Sequence, residues 1–287
     1  MNEDTLVNRP VPGGALPLAA ASADSGVFDV PGHADLVAKV FRGPCPPGRA
    51  ERLRHLIELP DAMSAAERDI LRTASCWPLA ALVDQGGDVV GCLLPKAPEK
   101  FVFDRTTPSG RTHAGYLEID WLANPDDVLE RRGIPPQDMR SRAAVCRSIT
   151  TVAAVLERHD LVYSDWSYSN AFWCVEDHSA YVIDVDGCAP HSSPNVQQPG
   201  WEDPLTPSTS AADKYVDRYR LALLAARCLT GRRRADHVVH ALGRGTDGLD
   251  GAPGLRTVLL RMLLSPEREQ RPSAHQLLVE LVAAAEG

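Results

Sequence analysis

Hydrophobic and polar positions repeat with two different periods along the chain. The early part alternates with a period near two. "GVFDV" and "DLVAKVF" read as strands joined by the turn "PGHA", and "LAALVDQGGDVVGCLL" reads as a hairpin turning at Gly86-Gly87. Between them, "GPCPPG" breaks the chain and "RAERLRHLIEL" places Leu53, Leu56 and Ile57 on one helical face. The later part follows the helical period. "RAAVCRSITTVAAVLERH" aligns Val145, Ile149, Val152 and Leu156. "GLRTVLLRMLLS" aligns Leu255, Val258, Leu259, Met262 and Leu263. "DKYVDRYRLALLAARCL" is apolar through its second half, as a buried central helix would be, and "SAHQLLVELVAAAE" opens on the candidate cap Ser273. Residues 189–212 are Pro/Ser-rich and aperiodic, which predicts a long loop, and residues 1–25 read as a flexible segment. The pattern predicts an α+β protein, strand-rich first and helical afterwards.

Composition narrows the function classes. Of the 287 residues 44% are hydrophobic and 24% charged, the balance of a soluble globular protein, and the net charge is -8. An acidic chain argues against nucleic acid and anionic membranes as partners, because both reward basic patches. The most apolar stretches are too short to span a bilayer, and the N-terminus lacks the basic run of a signal peptide. The seven cysteines form no C-x-x-C pair and read as reduced thiols of a cytoplasmic protein. His237 and His240, and the Arg run in "GRRRAD", read as solvated surface. The five tryptophans read as packing groups.

Four side chains carry candidate chemistry. Lys39 sits within the apolar strand "LVAKVF", where a buried ammonium requires an anion, and such a lysine can grip phosphates. Asp165 and Asn170 in "YSDWSYSN" stand on one tight loop. Asp165 suits a base for an acceptor hydroxyl, and the Asn170 amide oxygen suits a metal ligand. Asp184 ends the strand "AYVI" and suits Mg²⁺, which takes oxygen ligands. Asp186 lies two residues on; Asp184 is preferred as ligand because it directly follows the apolar run. Each feature alone has a plainer reading: a lysine snorkelling to water, an Asx-rich turn, solvated strand-end acids. Together they suit phosphoryl transfer.

In this order and spacing the motifs resemble the eukaryotic-like protein kinase family over residues 26–283. Within it the chain is similar to a bacterial branch of YegI-like Ser/Thr kinases, through "WPLA", "GCLLP" and "IDVD". The resemblance implies a bilobal protein-kinase-like fold. A strand-rich N-lobe would span 26–95 and a helical C-lobe 96–287. "VAKVF" resembles the strand of the ATP-binding lysine, "YSDWSYSN" the catalytic loop, and "DVDG" stands where the family has D-F-G. "CLLPKAP" resembles the last small-lobe strand entering the hinge, which puts Leu94 and Lys96, with Gly26, among the nucleotide-binding residues. Asp217 would hold the catalytic loop by backbone hydrogen bonds. Arg271 would pair with an acid, Glu202 being the candidate. A helix glutamate, Glu51 in preference to Glu58, would pair with Lys39.

There are departures from the family. No G-x-G-x-x-G precedes Lys39; Gly13, Gly14 and Gly26 are scattered. Tyr163 and Ser164 replace His and Arg, and Ser167 replaces a lysine. The implied activity is an ATP- and Mg²⁺-dependent phosphotransferase, with Mn²⁺ as an alternative ion. Asp165 and Lys39 would be catalytic, Asn170 and Asp184 the metal ligands, and a protein Ser/Thr hydroxyl the acceptor. A small-molecule acceptor, and a pseudokinase interaction module, stay open as alternatives.

Overall fold

The computed structural model describes residues 8–10, 25–43, 45–195, 198–246 and 248–286. The chain divides into two compact units, Met1–Pro98 with Asp184–Cys188, and Glu99–Ile183 with Ala189–Gly287.

The first unit holds β1 (Asn8–Pro10), β2 (Ser25–Val30), β3 (His33–Phe41), α1 (Pro47–Glu58), α2 (Ala65–Ala74), β4 (Ala80–Val83) and β5 (Val89–Pro95). They form a five-stranded sheet in the order β1-β4-β5-β3-β2. β1 runs parallel to β4 and the other pairs are antiparallel. Residues 8–10 thus pair as a strand inside the segment read as flexible, while Gly13 and Gly14 lie outside the described residues. The sheet is buried on both faces, as its apolar runs require. Val37, Phe41, Cys92 and Leu94 pack with Leu53 of α1, and Ala38, Ala80, Leu82 and Leu93 form the opposite cluster. Alternation along β3 puts Lys39 on the α1 face, between Val37 and Phe41. Pro47 opens α1 without losing a bonded N–H, Ser64 and Glu67 make a reciprocal capping box on α2, and the Trp77 indole donates to the Leu56 carbonyl at 2.9 Å.

The second unit opens with an exposed hairpin, β6 (Val102–Thr106) and β7 (Thr112–Tyr116), which the sequence pattern did not announce. Then come α3 (Asp126–Glu130), α4 (Met139–Arg158), β8 (Leu161–Val162), β9 (Ala171–Trp173), β10 (Ala180–Val182), β11 (Ala189–Pro190), α5 (Lys214–Thr230), α6 (Ala235–Arg244), α7 (Pro253–Leu264) and α8 (Ala274–Glu286). α4 packs on α5 and α8, and its Asp138 cap accepts from the Ser141 N–H at 2.8 Å. α5 is buried from Tyr219 to Leu229, as its apolar second half predicts. Ser273 and Gln276 close the start of α8 by exchanging two bonds, at 2.9 and 3.2 Å. Among the described residues no helix is long and apolar enough to cross a membrane.

Gly91 is where the sheet is tightest. It sits on β5 opposite Val40 of β3 and Leu82 of β4, and a Cβ there would overlap the Lys39 carbonyl oxygen. Gly91→Ala is therefore expected to cost about 1–3 kcal/mol by overpacking, read as a lower melting temperature. Gly243, on α6, meets nothing within 4 Å, so Gly243→Ala is expected to stabilise by about 0.5–1 kcal/mol.

Candidate active site

In the first unit the site centres on Lys39. Its Nζ donates to Asp186 Oδ1 at 2.8 Å and to Asp184 Oδ1 at 3.1 Å. The Lys39 side chain is 10% exposed, that of Asp186 1% and that of Asp184 46%. Burial works to strip the ammonium of its proton. The adjacent Asp186 and Asp184 carboxylates outweigh burial and hold it charged, above the ordinary lysine range. The two acids reach it from one short turn. Asp184 takes a left-handed backbone (φ 57°, ψ 24°), and Val185–Gly187 follow as a 3-10 turn anchored by the buried Val185.

The helix glutamates do not supply the anion. Glu51 and Glu58 are exposed, and the place beside Lys39 expected of Glu51 is taken by Asp186 and Asp184. The helical period explains this: α1 turns Leu53 and Leu56 to the sheet, which points positions 51 and 58 to solvent. Two thiols lie near the pair. Cys92 stands opposite Lys39 in the ladder, and burial with the neighbouring carboxylates pushes the Cys76 thiol up to about 12. All seven cysteines are free thiols and six are buried. Of the expected nucleotide-binding residues, Leu94 is buried opposite Val37, Gly26 pairs with Val40, and Lys96 pairs with Asp29 at 3.1 Å.

In the second unit the loop after β8 carries Asp165 and Asn170. Asp217 of α5 fixes its start, accepting from the Tyr163 and Ser164 N–H groups at 2.7 Å each, as the resemblance implied. Burial pushes the Asp217 carboxyl up to about 7, against the pull of those two donors and of Arg220. Ser164 takes φ 62°, a strained value for a residue with a Cβ, and Arg220 donates to its carbonyl. Trp166 is buried edge-on against Tyr163, with centroids 4.6 Å apart. Asn170 donates to the Asp165 carbonyl at 2.9 Å, so one loop holds both side chains. The Ile183 N–H donates to the Asn170 carbonyl at 3.0 Å.

Gln198 donates to Asp165 Oδ1 at 3.0 Å, a contact no sequence signal announced. The segment around it is tied by arginines of α5. Arg220 donates to Asn195 Oδ1 at 2.7 Å. Arg227 donates to the Gly200 carbonyl at 2.7 Å and lies over the Trp201 ring at 4.1 Å. Arg271 pairs with Asp203 through two bonds of 2.6 and 2.7 Å; the expected partner Glu202 is exposed and accepts from the Gly200 N–H instead. Only burial separates these adjacent acids, so sequence could not choose between them. His237 and His240 are both exposed, and among the described residues no three or more His, Cys, Asp and Glu side chains converge as a metal cluster.

A sheet unit bearing a paired lysine, and a helical unit whose central-helix aspartate holds an Asp/Asn loop, follow the order of the resembled family. Comparison of the folds decides the architecture. A solved structure, "ROP18 kinase domain in complex with AMP-PNP and sucrose", matches with a TM-score of 0.62 over 94% of this chain and 79% of that one, at 13% identity. The fold is that of a protein kinase domain. It is mixed α+β, with a strand-rich N-terminal part and a helical C-terminal part. No protein-family model and no curated protein matches the chain.

The buried Arg271–Asp203 pair gives this kinase fold a measurable acid limit. Burial alone would raise the Asp203 carboxyl. Arg271, the Leu205 N–H and the Thr206 hydroxyl outweigh it and hold the group below the usual carboxylate range. A depressed folded pKa adds stability above the unfolded value, roughly 3.9, and loses it as pH falls through the folded value. Asp203→Asn, which leaves Arg271 buried without its anion, is expected to cost about 3–5 kcal/mol at neutral pH. Denaturant melts should show the wild type and the variant converging as pH falls below about 4.

Proposed function

We propose that the chain is an ATP- and Mg²⁺-dependent phosphotransferase that moves the γ-phosphoryl group to a hydroxyl, with a protein Ser or Thr as acceptor. The observation that carries this reading is Lys39, a cation kept charged on a sheet strand beside a carboxylate left half open to solvent. The fold supports it, and the AMP-PNP in the ROP18 complex supports a nucleotide as its ligand.

The donor set suits the ion. Asp184 offers a solvent-accessible carboxylate and Asn170 an amide oxygen, the hard oxygens that Mg²⁺ takes while keeping waters. Mg²⁺ held by such oxygens would neutralise charge on the polyphosphate. Lys39 binds the non-transferred phosphates. Asp165, steadied by the Gln198 amide, orients the acceptor hydroxyl and takes its proton as oxygen bonds to the γ-phosphorus and the bond to the β-phosphate oxygen breaks. Leu94 and Gly26 would line the nucleotide, with Lys96 at the strand's end.

A second reading, an interaction module with weak or no nucleotide binding, is favoured by one observation. Ser167 stands where the family has a lysine, and its buried Oγ has no hydrogen-bond partner among the described residues. A small-molecule hydroxyl is the remaining acceptor class.

Transfer of radiolabelled γ-phosphate, with Mg²⁺ or Mn²⁺, tests the reading. The acceptors offered are the chain itself, a generic protein and a panel of polyols. Asp165→Asn is expected to slow transfer about 10²–10⁴-fold while the thermal shift given by MgATP is kept. Transfer undiminished in the variant would refute the role of Asp165. No transfer and no thermal shift in the wild type would favour the interaction module.

A further inference from the structure

Resting on the phosphotransferase reading, we propose that Asp186, and not a carboxylate of α1, positions Lys39 for the nucleotide phosphates. The two acids on Lys39 are unequal. Asp186 makes the shorter bond, 2.8 Å against 3.1 Å, and its side chain is 1% exposed against 46% for Asp184. Asp184 can exchange its partner for an ion arriving from solvent. Asp186 cannot, so it is the anchor that remains when Asp184 is drawn away. A buried ammonium left with no anion would cost too much to persist.

The backbone fixes this division of labour. The Gly187 N–H donates to the Asp184 carbonyl at 3.2 Å, and the Cys188 N–H to the Val185 carbonyl at 3.0 Å. Val185 and Cys188 are fully buried, so the turn that carries Asp186 is gripped on both sides. Asp186 Oδ2 is also buried and has no hydrogen-bond partner among the described residues. Such an atom is costly, and it is retained here while its sister oxygen holds the lysine. Glu51 and Glu58 face solvent. The lysine is thus anchored whatever α1 does, so displacement of α1 is not a means of breaking its ion pair.

The test uses the full chain and two kinds of readout. Without nucleotide, melting temperatures of Lys39→Met, Asp186→Asn and the double variant form a thermodynamic cycle, and Lys39→Met with Glu51→Gln forms its control. The double variant is expected to melt no lower than the worse single one, and the control cycle to be additive. With nucleotide, Asp186→Asn is expected to raise KM for MgATP about tenfold, with kcat changed less. Asp186→Glu is expected to recover part of that loss, and Glu51→Gln and Glu58→Gln to leave both constants unchanged. An additive Lys39/Asp186 cycle overturns the proposal. So does a coupled cycle with an unchanged KM, which would make the pair merely structural. A wild type that neither binds nor transfers overturns the functional reading and this proposal together; coupling in the nucleotide-free cycle marks that case off from a failure of Asp186 alone.

Discussion

A buried ammonium needs a nearby anion, and the first unit is arranged around that requirement. Lys39 lies on the helix-facing side of a sheet whose other inward groups are apolar, so the strand cannot solvate it. Its anions come from 145 and 147 residues away in sequence. That distance accounts for the discontinuous make-up of the unit: the chain leaves after Pro98 and returns for the five residues Asp184–Cys188. A carboxylate pair on a short, buried turn serves this end better than a helix whose acids face solvent. The same charge that makes the sheet costly to fold is the one the proposed function assigns to phosphate.

The second unit meets its own buried charges in kind. Asp217 turns its carboxylate onto two loop N–H groups, and Arg271 and Asp203 neutralise each other almost without exposure. Arg220 and Arg227 reach from α5 to backbone carbonyls and to Asn195. These buried polar groups meet partners fixed by the fold. Asn195, Gly200, Trp201 and Asp203 are tied to the helical core by side chains already in the sequence. No phosphate is required for those ties, in keeping with serine rather than arginine at position 164.

Much of this was legible before the structure. The strands, the turn at Gly32, the hairpin at Gly87 and the long helices follow from apolar period and turn residues, which are local signals. Asp217 was legible because its spacing within a family pattern names its role. The partners were not. Choosing Asp203 over Glu202, or Asp186 over Glu51, requires knowing which of several acids is buried, and burial is settled by packing between distant segments. The Gln198 contact with Asp165 is of the same kind, as is the hairpin of β6 and β7, whose exposed strands carry little apolar alternation.

Lys39, held charged between two carboxylates, is the proposed phosphate grip of a nucleotide site. Calorimetric titration of MgATP into the full chain, set beside the same titration of Lys39→Met, tests it most directly. Saturable one-to-one binding is expected, dependent on the divalent ion and weakened at least about tenfold in the variant. No binding by the wild type, or equal binding by both proteins, would contradict it.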